Sequence, residues 1–168
     1  MQITTKRLIL RRPTLKDAQD LVDISNNKDI AKMLSSLPYP YTIDNAKEWI
    51  LKANSKDYIG FVITYKKDII GVINVDISLR HNHATISYYL AKEYWSMGFM
   101  SEAVKGVVEF CFNELNLIRV ASHHFHNNLA SAKVLKKAGF ELEGIRKKHF
   151  KKQNSYFDIY DYGILKYN

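Results

Sequence analysis

Residues 94–101 place the strongest constraint on the fold, because they connect two segments of different hydrophobic periodicity. Residues 84–90 before them are β-branched and aromatic, which predicts a β-strand. Residues 100–115 after them carry apolar side chains in steps of three and four, which predicts an amphipathic helix. Gly98 lies at the tightest point of the connection. Since amides at a helix start lack an internal partner and meet the positive end of the helix dipole, this turn is suited to hold a phosphate or pyrophosphate.

The rest of the chain alternates strands and helices around this connection. After it, residues 118–123 predict a strand, and residues 128–140 predict a helix capped by Asn128 and ending at Gly139. The other predicted elements are a strand at 6–12, helices opened by Thr14 and Thr42, a hairpin of 58–65 with 69–77, and final strands near 141–149 and 156–165. This order predicts an α/β or α+β fold with a mixed sheet.

The chain contains several motifs whose order and spacing resemble those of the GCN5-related N-acetyltransferase (GNAT) superfamily. Within it the resemblance is to the RimJ/RimL-like branch, which acetylates ribosomal-protein N-termini and other amines. The matching pieces are residues 88–95, Gly98, residues 128–140, residues 141–146, and Tyr156 with Asp158. The resemblance extends over residues 7–165. It implies a GNAT fold, in which a mixed, mostly antiparallel seven-stranded sheet is flanked by about four helices. Strands 4 and 5 of that sheet, here 84–90 and 118–123, splay apart, so that cofactor enters the gap from one side and amine from the other.

The resemblance also implies a binding site for acetyl-CoA. The backbone of Tyr89, Leu90 and Ala91 is expected to pair with the pantetheine arm as an added strand would. The pyrophosphate is expected to meet the amides of Met97, Gly98, Phe99, Met100 and Ser101. Trp95 and Met100 depart from the family pattern, and the Met100 side chain has to point away from the phosphates.

Residues of the next predicted helix are expected to complete that cofactor site. Asn128 both caps its helix and contacts the pantetheine. Lys137, with Lys133 and Lys136, is the candidate partner of the 3′-phosphate, and a solvated surface is the alternative.

The resemblance also implies candidate catalytic residues. Leu135 stands where many relatives carry a tyrosine acid, and the resemblance implies that Ser131 lies near the sulfur and donates a hydrogen bond to the departing thiolate. A hydroxyl satisfied by nearby backbone is the alternative for Ser131. His123, on the predicted fifth strand, is the candidate general base, because histidine titrates near neutral pH. A surface histidine, Asp76, Glu93 and a water relay are the alternatives.

Composition narrows the class of protein. The chain has 168 residues and a single cysteine, and no apolar run approaches the ~20 residues of a membrane span. We therefore expect one domain, 1–168, in the cytoplasm, without a membrane partner. A metal is not expected, because closely spaced histidines without a cysteine partner are a weak zinc pattern. The net charge of +8 is compatible with nucleic acid, an acidic surface or an anionic cofactor as partner, and a solvated surface is the alternative.

The leading hypothesis is an acetyl-CoA-dependent N-acetyltransferase, in which the amine attacks the thioester directly. We expect a protein or peptide N-terminus as acceptor, with residues 37–41 and 147–152 at the rim of its site. A small-molecule amine (polyamine, amino acid or antibiotic) and a non-catalytic CoA-binding relative are the alternatives. A nucleic-acid-binding domain is a third class, which no aromatic stacking motif supports. The protein is expected to be a monomer or a homodimer.

Overall fold

A computed structural model describes residues 1–167, which are organised around one eight-stranded sheet. The strands are β1 (Gln2–Thr4), β2 (Ile9–Arg11), β3 (Tyr58–Tyr65), β4 (Asp68–Ser78), β5 (His83–Leu90), β6 (Arg119–Phe125), β7 (Glu141–Lys152) and β8 (Ser155–Leu165). Their order in the sheet is β1-β2-β3-β4-β5-β6-β8-β7. Only β5 and β6 pair in parallel among the described strands, and this confirms the predicted mixed, mostly antiparallel sheet.

Five α-helices accompany the sheet in the described part of the chain. They are α1 (Ala18–Ser25), α2 (Lys28–Met33), α3 (Ile43–Ala53), α4 (Phe99–Asn113) and α5 (Leu129–Lys137). The predicted connection between strand and helix is the segment between β5 and α4, and it includes a 3-10 turn, Lys92–Tyr94.

The element counts differ from the predicted seven strands and about four helices for local reasons. The predicted first strand, 6–12, is replaced by β1 and β2, because a turn closed by the bond from the Thr5 amide to the Leu8 carbonyl separates them. The additional helix, α2, begins where Asn27 caps it, since the Asn27 side chain accepts from the amides of Asp29 and Ile30.

The sheet carries a hydrophobic core on each face. One core combines the sheet with the apolar sides of α4 and α5, and fully buried Val104, Val107 and Leu135 belong to it. The other lies under α1 and α3 and includes Leu21, Ala46 and Val62. β3 and β4 are buried along most of their length because both faces are covered there. None of the described helices is long and apolar enough to cross a membrane.

The two parallel strands separate part of the way along their length. β5 and β6 pair from His83 opposite Arg119 to Ile86 opposite Ser122, and beyond that point both strands continue without pairing to each other. At the last paired position the Ser122 hydroxyl donates to the Ile86 carbonyl across 3.0 Å. The predicted splay between these strands is therefore confirmed, and it opens the middle of the sheet.

Candidate active site

A cavity of about 430 Å³ lies at the split between β5 and β6. Part of its wall comes from β5, β6 and the first turn of α5, and includes Tyr88, Ser122, His124, Asn128 and Ser131. The remaining wall comes from the segment after α2, from α3 and from β4, and includes Leu37, Tyr41, Glu48, Trp49 and Asn74. The cavity thus joins the two faces of the sheet, and two reactants that enter from opposite sides can meet in it.

The turn before α4 has the geometry of an anion-binding loop. Gly98 adopts φ +78°, a left-handed conformation that side-chain-bearing residues rarely adopt, and α4 begins directly after it. The amides of Phe99, Met100 and Ser101 stand in the first turn, where no helical carbonyl is available to them. The Met100 side chain is only 6% exposed and packs into the core, so it leaves the loop surface free as the sequence analysis required.

Arg7 and Glu102 brace this loop from the side. The Arg7 guanidinium donates to the Met97 carbonyl across 3.1 Å and to Glu102 across 2.7 Å, and it lies 4.4 Å from the centre of the Phe99 ring. Burial alone would raise the pKa of Glu102, but hydrogen bonds from Thr5 and Arg7 outweigh it and lower that pKa. Sequence reasoning missed this brace, because the partners are 95 residues apart.

The β5 backbone presents only alternate residues to the split. The Ala91 amide donates to the Ile70 carbonyl, and Tyr89 lies opposite Val72, so their backbone groups face β4. By the same alternation Tyr88 and Leu90 present their backbone groups toward the gap. Of the three residues predicted for pantetheine pairing, Leu90 therefore faces the split, and its carbonyl already accepts the Trp95 indole N–H across 2.9 Å.

The first turn of α5 brings Asn128 and Ser131 into the cavity wall. The Asn128 side-chain oxygen accepts from the Ser131 amide across 3.1 Å, which confirms the predicted cap, while its NH2 group has no hydrogen bond within residues 1–167. The Ser131 hydroxyl lies 2.8 Å from the Tyr88 hydroxyl, and no backbone partner is found for it in the described chain. Leu135, which stands where many relatives carry a tyrosine acid, is fully buried in the core.

His123 and His124 point to opposite faces of the sheet, and both border the cavity. His123 is solvent-exposed and stands opposite Asp161 on β8. Its pKa is lowered, chiefly because nearby protein atoms desolvate it, although Asp161 acts in the other direction.

His124 is a candidate that sequence reasoning missed, because alternation alone does not say which of two neighbouring residues is buried. It is 5% exposed and packs against Tyr160 and Tyr162, with ring centroids 5.5 and 5.3 Å away. Its Nδ1 lies 2.7 Å from the Phe125 carbonyl, so Nδ1 carries the proton and Nε2 is left as an acceptor. That Nε2 is buried and has no partner in residues 1–167. Burial lowers the pKa of His124.

A series of hydrogen-bonded polar side chains lines the wall formed by α3, β4 and β5. The Trp49 indole N–H donates to Asn74 Oδ1 across 2.9 Å, and Asn74 Nδ2 donates to Ser87 Oγ across 3.3 Å. Glu48 and Lys52 of α3 stand farther out on the same wall. These hydrogen bonds could not be predicted from the sequence, because their donors and acceptors come from three separate elements.

The predicted acceptor rim is only partly found at the cavity. Leu37, Pro38 and Tyr41 line it, whereas no residue of 147–152 does so in the described structure. Lys152 instead donates to the carbonyls of Ala31 and Leu34, and so ties the β7–β8 hairpin to the C-terminal end of α2.

Other predicted or alternative residues lie outside the cavity. Lys137 is exposed at the end of α5, and Asp76 and Glu93 are exposed and absent from the cavity lining. Within residues 1–167 no three His, Cys, Asp or Glu side chains are grouped so that they could hold a metal ion.

Sequence relatives and structural neighbours of this chain point to the same family. Residues 7–141 match the family described as Acetyltransferase (GNAT) domain. The uncharacterized N-acetyltransferase p20 of Bacillus licheniformis is 29% identical over 96% of this chain and 94% of its own length. Among solved structures, a RimL ribosomal L7/L12 alpha-N-protein acetyltransferase in complex with coenzyme A superposes with a TM-score of 0.91 at 20% identity, with 98% of both chains covered. A spermidine N-acetyltransferase from Vibrio cholerae in complex with CoA and spermine superposes with a TM-score of 0.84 at 24% identity, with 95% of both chains covered.

Proposed function

The chain belongs to the acetyltransferase (GNAT) domain family and is an acetyl-CoA-dependent N-acetyltransferase, and we propose that its acceptor is the amino group of a protein or peptide N-terminus of the ribosomal-protein type. Proteins of this fold act on unlike amines, as the names of the two structural neighbours show. The fold therefore does not define the acceptor, and the residues of the cavity wall are the basis for choosing it.

The proposed acceptor rests on which groups donate and which accept hydrogen bonds along that wall. An indole N–H only donates, so Asn74 turns its oxygen to Trp49 and its NH2 group to Ser87. Ser87 accepts from Asn74 and keeps its own O–H proton for a ligand. Ser87 can therefore donate to a hydrogen-bond acceptor bound beside it, such as a carbonyl oxygen.

A peptide N-terminus can accept this hydrogen bond, because its first carbonyl group is separated from the amine nitrogen by a single carbon atom. A protonated polyamine carries donors only, and its sites normally need several carboxylates. Glu48 is the only carboxylate in the cavity lining of the described chain. A free amino acid presents the same carbonyl side as a peptide and is the second candidate.

The chemistry is divided between the cavity and the loop that precedes α4. Bound acetyl-CoA supplies the acetyl thioester. The amides of Met97, Gly98 and the first turn of α4 would hold its pyrophosphate, and Asn128 would donate its free NH2 group to the pantetheine. His123 would accept the proton of the amine, and Ser131 would donate a hydrogen bond to the sulfur as charge develops on it.

Thiol release with a panel of amines tests the acceptor. Alaninamide and isopropylamine form a matched pair, because both carry a branched amine carbon and only the first has a carbonyl oxygen. We expect a higher kcat/KM for alaninamide, after correction for the fraction of free amine, and a higher value still for short peptides. We further expect Ser87→Ala to lower the preference about three- to tenfold, the effect of one neutral hydrogen bond. Faster turnover of spermidine than of any peptide would refute the proposal.

A further inference from the structure

Tyr88 and Ser131 form an isolated pair of hydroxyl groups in the cavity wall. Their oxygens are 2.8 Å apart, and neither side chain has another hydrogen-bond partner within residues 1–167. Ser131 is also held through its amide, which donates to Asn128. The pair connects elements that the split separates, because Tyr88 lies on β5 beyond the last position paired with β6, and Ser131 lies on α5.

The number of protons in this pair determines what it offers to a ligand. Two hydroxyls carry two protons and the bond between them uses one, so one O–H is left. A phenol is a stronger acid than an alkyl alcohol, which makes Tyr88 the better donor and Ser131 the better acceptor. Burial raises the pKa of Tyr88, so its proton stays in place throughout the neutral range. The remaining proton is then that of Ser131, and it is directed away from Tyr88.

We infer that Tyr88 is a positioning residue for acetyl transfer, which holds the Ser131 hydroxyl with its proton directed at the departing sulfur. The inference rests on the role proposed above for Ser131. In the transfer, a bond forms between the amine nitrogen and the acetyl carbon, the carbon–sulfur bond breaks, and its electron pair leaves with the sulfur. The amine gives its proton to the base. Ser131 keeps its own proton and donates a hydrogen bond to the thiolate, and Tyr88 prevents that donor from rotating away.

Tyr88→Phe tests the inference, because it keeps the ring and removes only the hydroxyl. We expect kcat to fall about tenfold, the upper effect of one neutral hydrogen bond, with little change in the KM for acetyl-CoA. The two parameters should separate because the charge on sulfur develops only late in the reaction. In a Ser131→Ala background, Tyr88→Phe should have no further effect on kcat, because its hydrogen-bond partner is already gone.

Ser25→Ala is the matched control. It removes the hydrogen bond between Ser25 and Tyr89, which is also 2.8 Å long, on the face of the sheet covered by α1 and α3. We expect it to lower the unfolding midpoint and to leave kcat unchanged. Parental kcat in Tyr88→Phe would overturn the inference, and so would losses that multiply in the double variant. Every kcat is measured with whichever amine of the acceptor panel reacts fastest, so the test of Tyr88 does not depend on the proposed acceptor class. Parental kcat in Ser131→Ala would overturn both the role of Ser131 and the inference built on it.

Discussion

The Ser122 hydroxyl donates to the Ile86 carbonyl at the position where β5 and β6 stop pairing. Ser122 is buried, and its hydroxyl is satisfied by this carbonyl at the end of the paired region. The side chain thus adds a hydrogen bond between the two strands at the point where the sheet opens.

Ser122→Ala should therefore destabilise the protein by about 0.5–1.5 kcal/mol, the net contribution of one hydrogen bond. The measurement is urea unfolding of parent and variant. Ser155→Ala is the control, because Ser155 is exposed at the start of β8 and its replacement should have little effect. Equal stability of Ser122→Ala and the parent would show that this side-chain hydrogen bond does not stabilise the end of the paired region.

Gly98→Val should weaken acetyl-CoA binding about tenfold or more. Valine at φ +78° costs about 1–2 kcal/mol, and the loop can avoid that strain only by moving its amides. Calorimetric titration with acetyl-CoA measures the effect. Gly144→Val is the control, because a Cβ at Gly144 meets no atom within 4 Å and its φ is not in the left-handed range. Parental affinity in a folded Gly98→Val protein would rule out the proposed pyrophosphate site.

Lys137→Gln tests the proposed partner of the 3′-phosphate. An exposed charge pair contributes up to about 1 kcal/mol, so the affinity for CoA should fall about two- to fivefold, and the affinity for dephospho-CoA should not change. Lys105→Gln, an exposed position on α4, provides a control for the loss of one positive charge. If Lys137→Gln weakens the binding of CoA and of dephospho-CoA equally, Lys137 is an ordinary surface residue.

The pH profile of kcat/KM should distinguish the two histidines. The pKa values of His123 and His124 are both lowered from 6.5, mainly by desolvation, so both are neutral at pH 7 and able to accept a proton. Activity that depends on the neutral form is complete above the lowered pKa and is lost as the pH falls through it, which places this acidic limb below pH 6.5.

His123→Ala should remove that limb if His123 is the base, whereas His124→Gln should leave it in place. The reverse result would transfer the role to the buried Nε2 of His124. An acceptor amine of different pKa serves as the control, because a limb that belongs to the enzyme stays at the same pH when the amine is changed.

The fold could be predicted from the sequence because its signals are local. The strand before Gly98 and the helix after it follow from side-chain periodicity alone, and Asn128 caps its helix through Ser131, three residues away. The split could be predicted only through the family resemblance, since nothing in residues 84–90 or 118–123 shows where pairing ends.

Most of the candidate site could not be predicted, because its contacts join distant parts of the chain. Tyr88 and Ser131 are 43 residues apart, and Trp49 and Asn74 are 25 residues apart. Their side chains meet only after the sheet and helices have packed. Periodicity identifies a half-buried tyrosine on a strand, but it does not identify the hydroxyl that the tyrosine reaches.

The chain has two tryptophans, one in the cavity wall and one beside the loop that precedes α4. Trp49 is bonded to Asn74 on the acceptor wall, and Trp95, which is 41% exposed, is bonded to the Leu90 carbonyl beside the cofactor loop. The protein therefore contains two indole fluorophores in distinct environments. Single-tryptophan variants, Trp49→Phe and Trp95→Phe, would give separate emission signals for the arrival of acceptor and of acetyl-CoA. Stopped-flow recordings of these two signals would establish the order in which the substrates bind, without a label or a coupled assay.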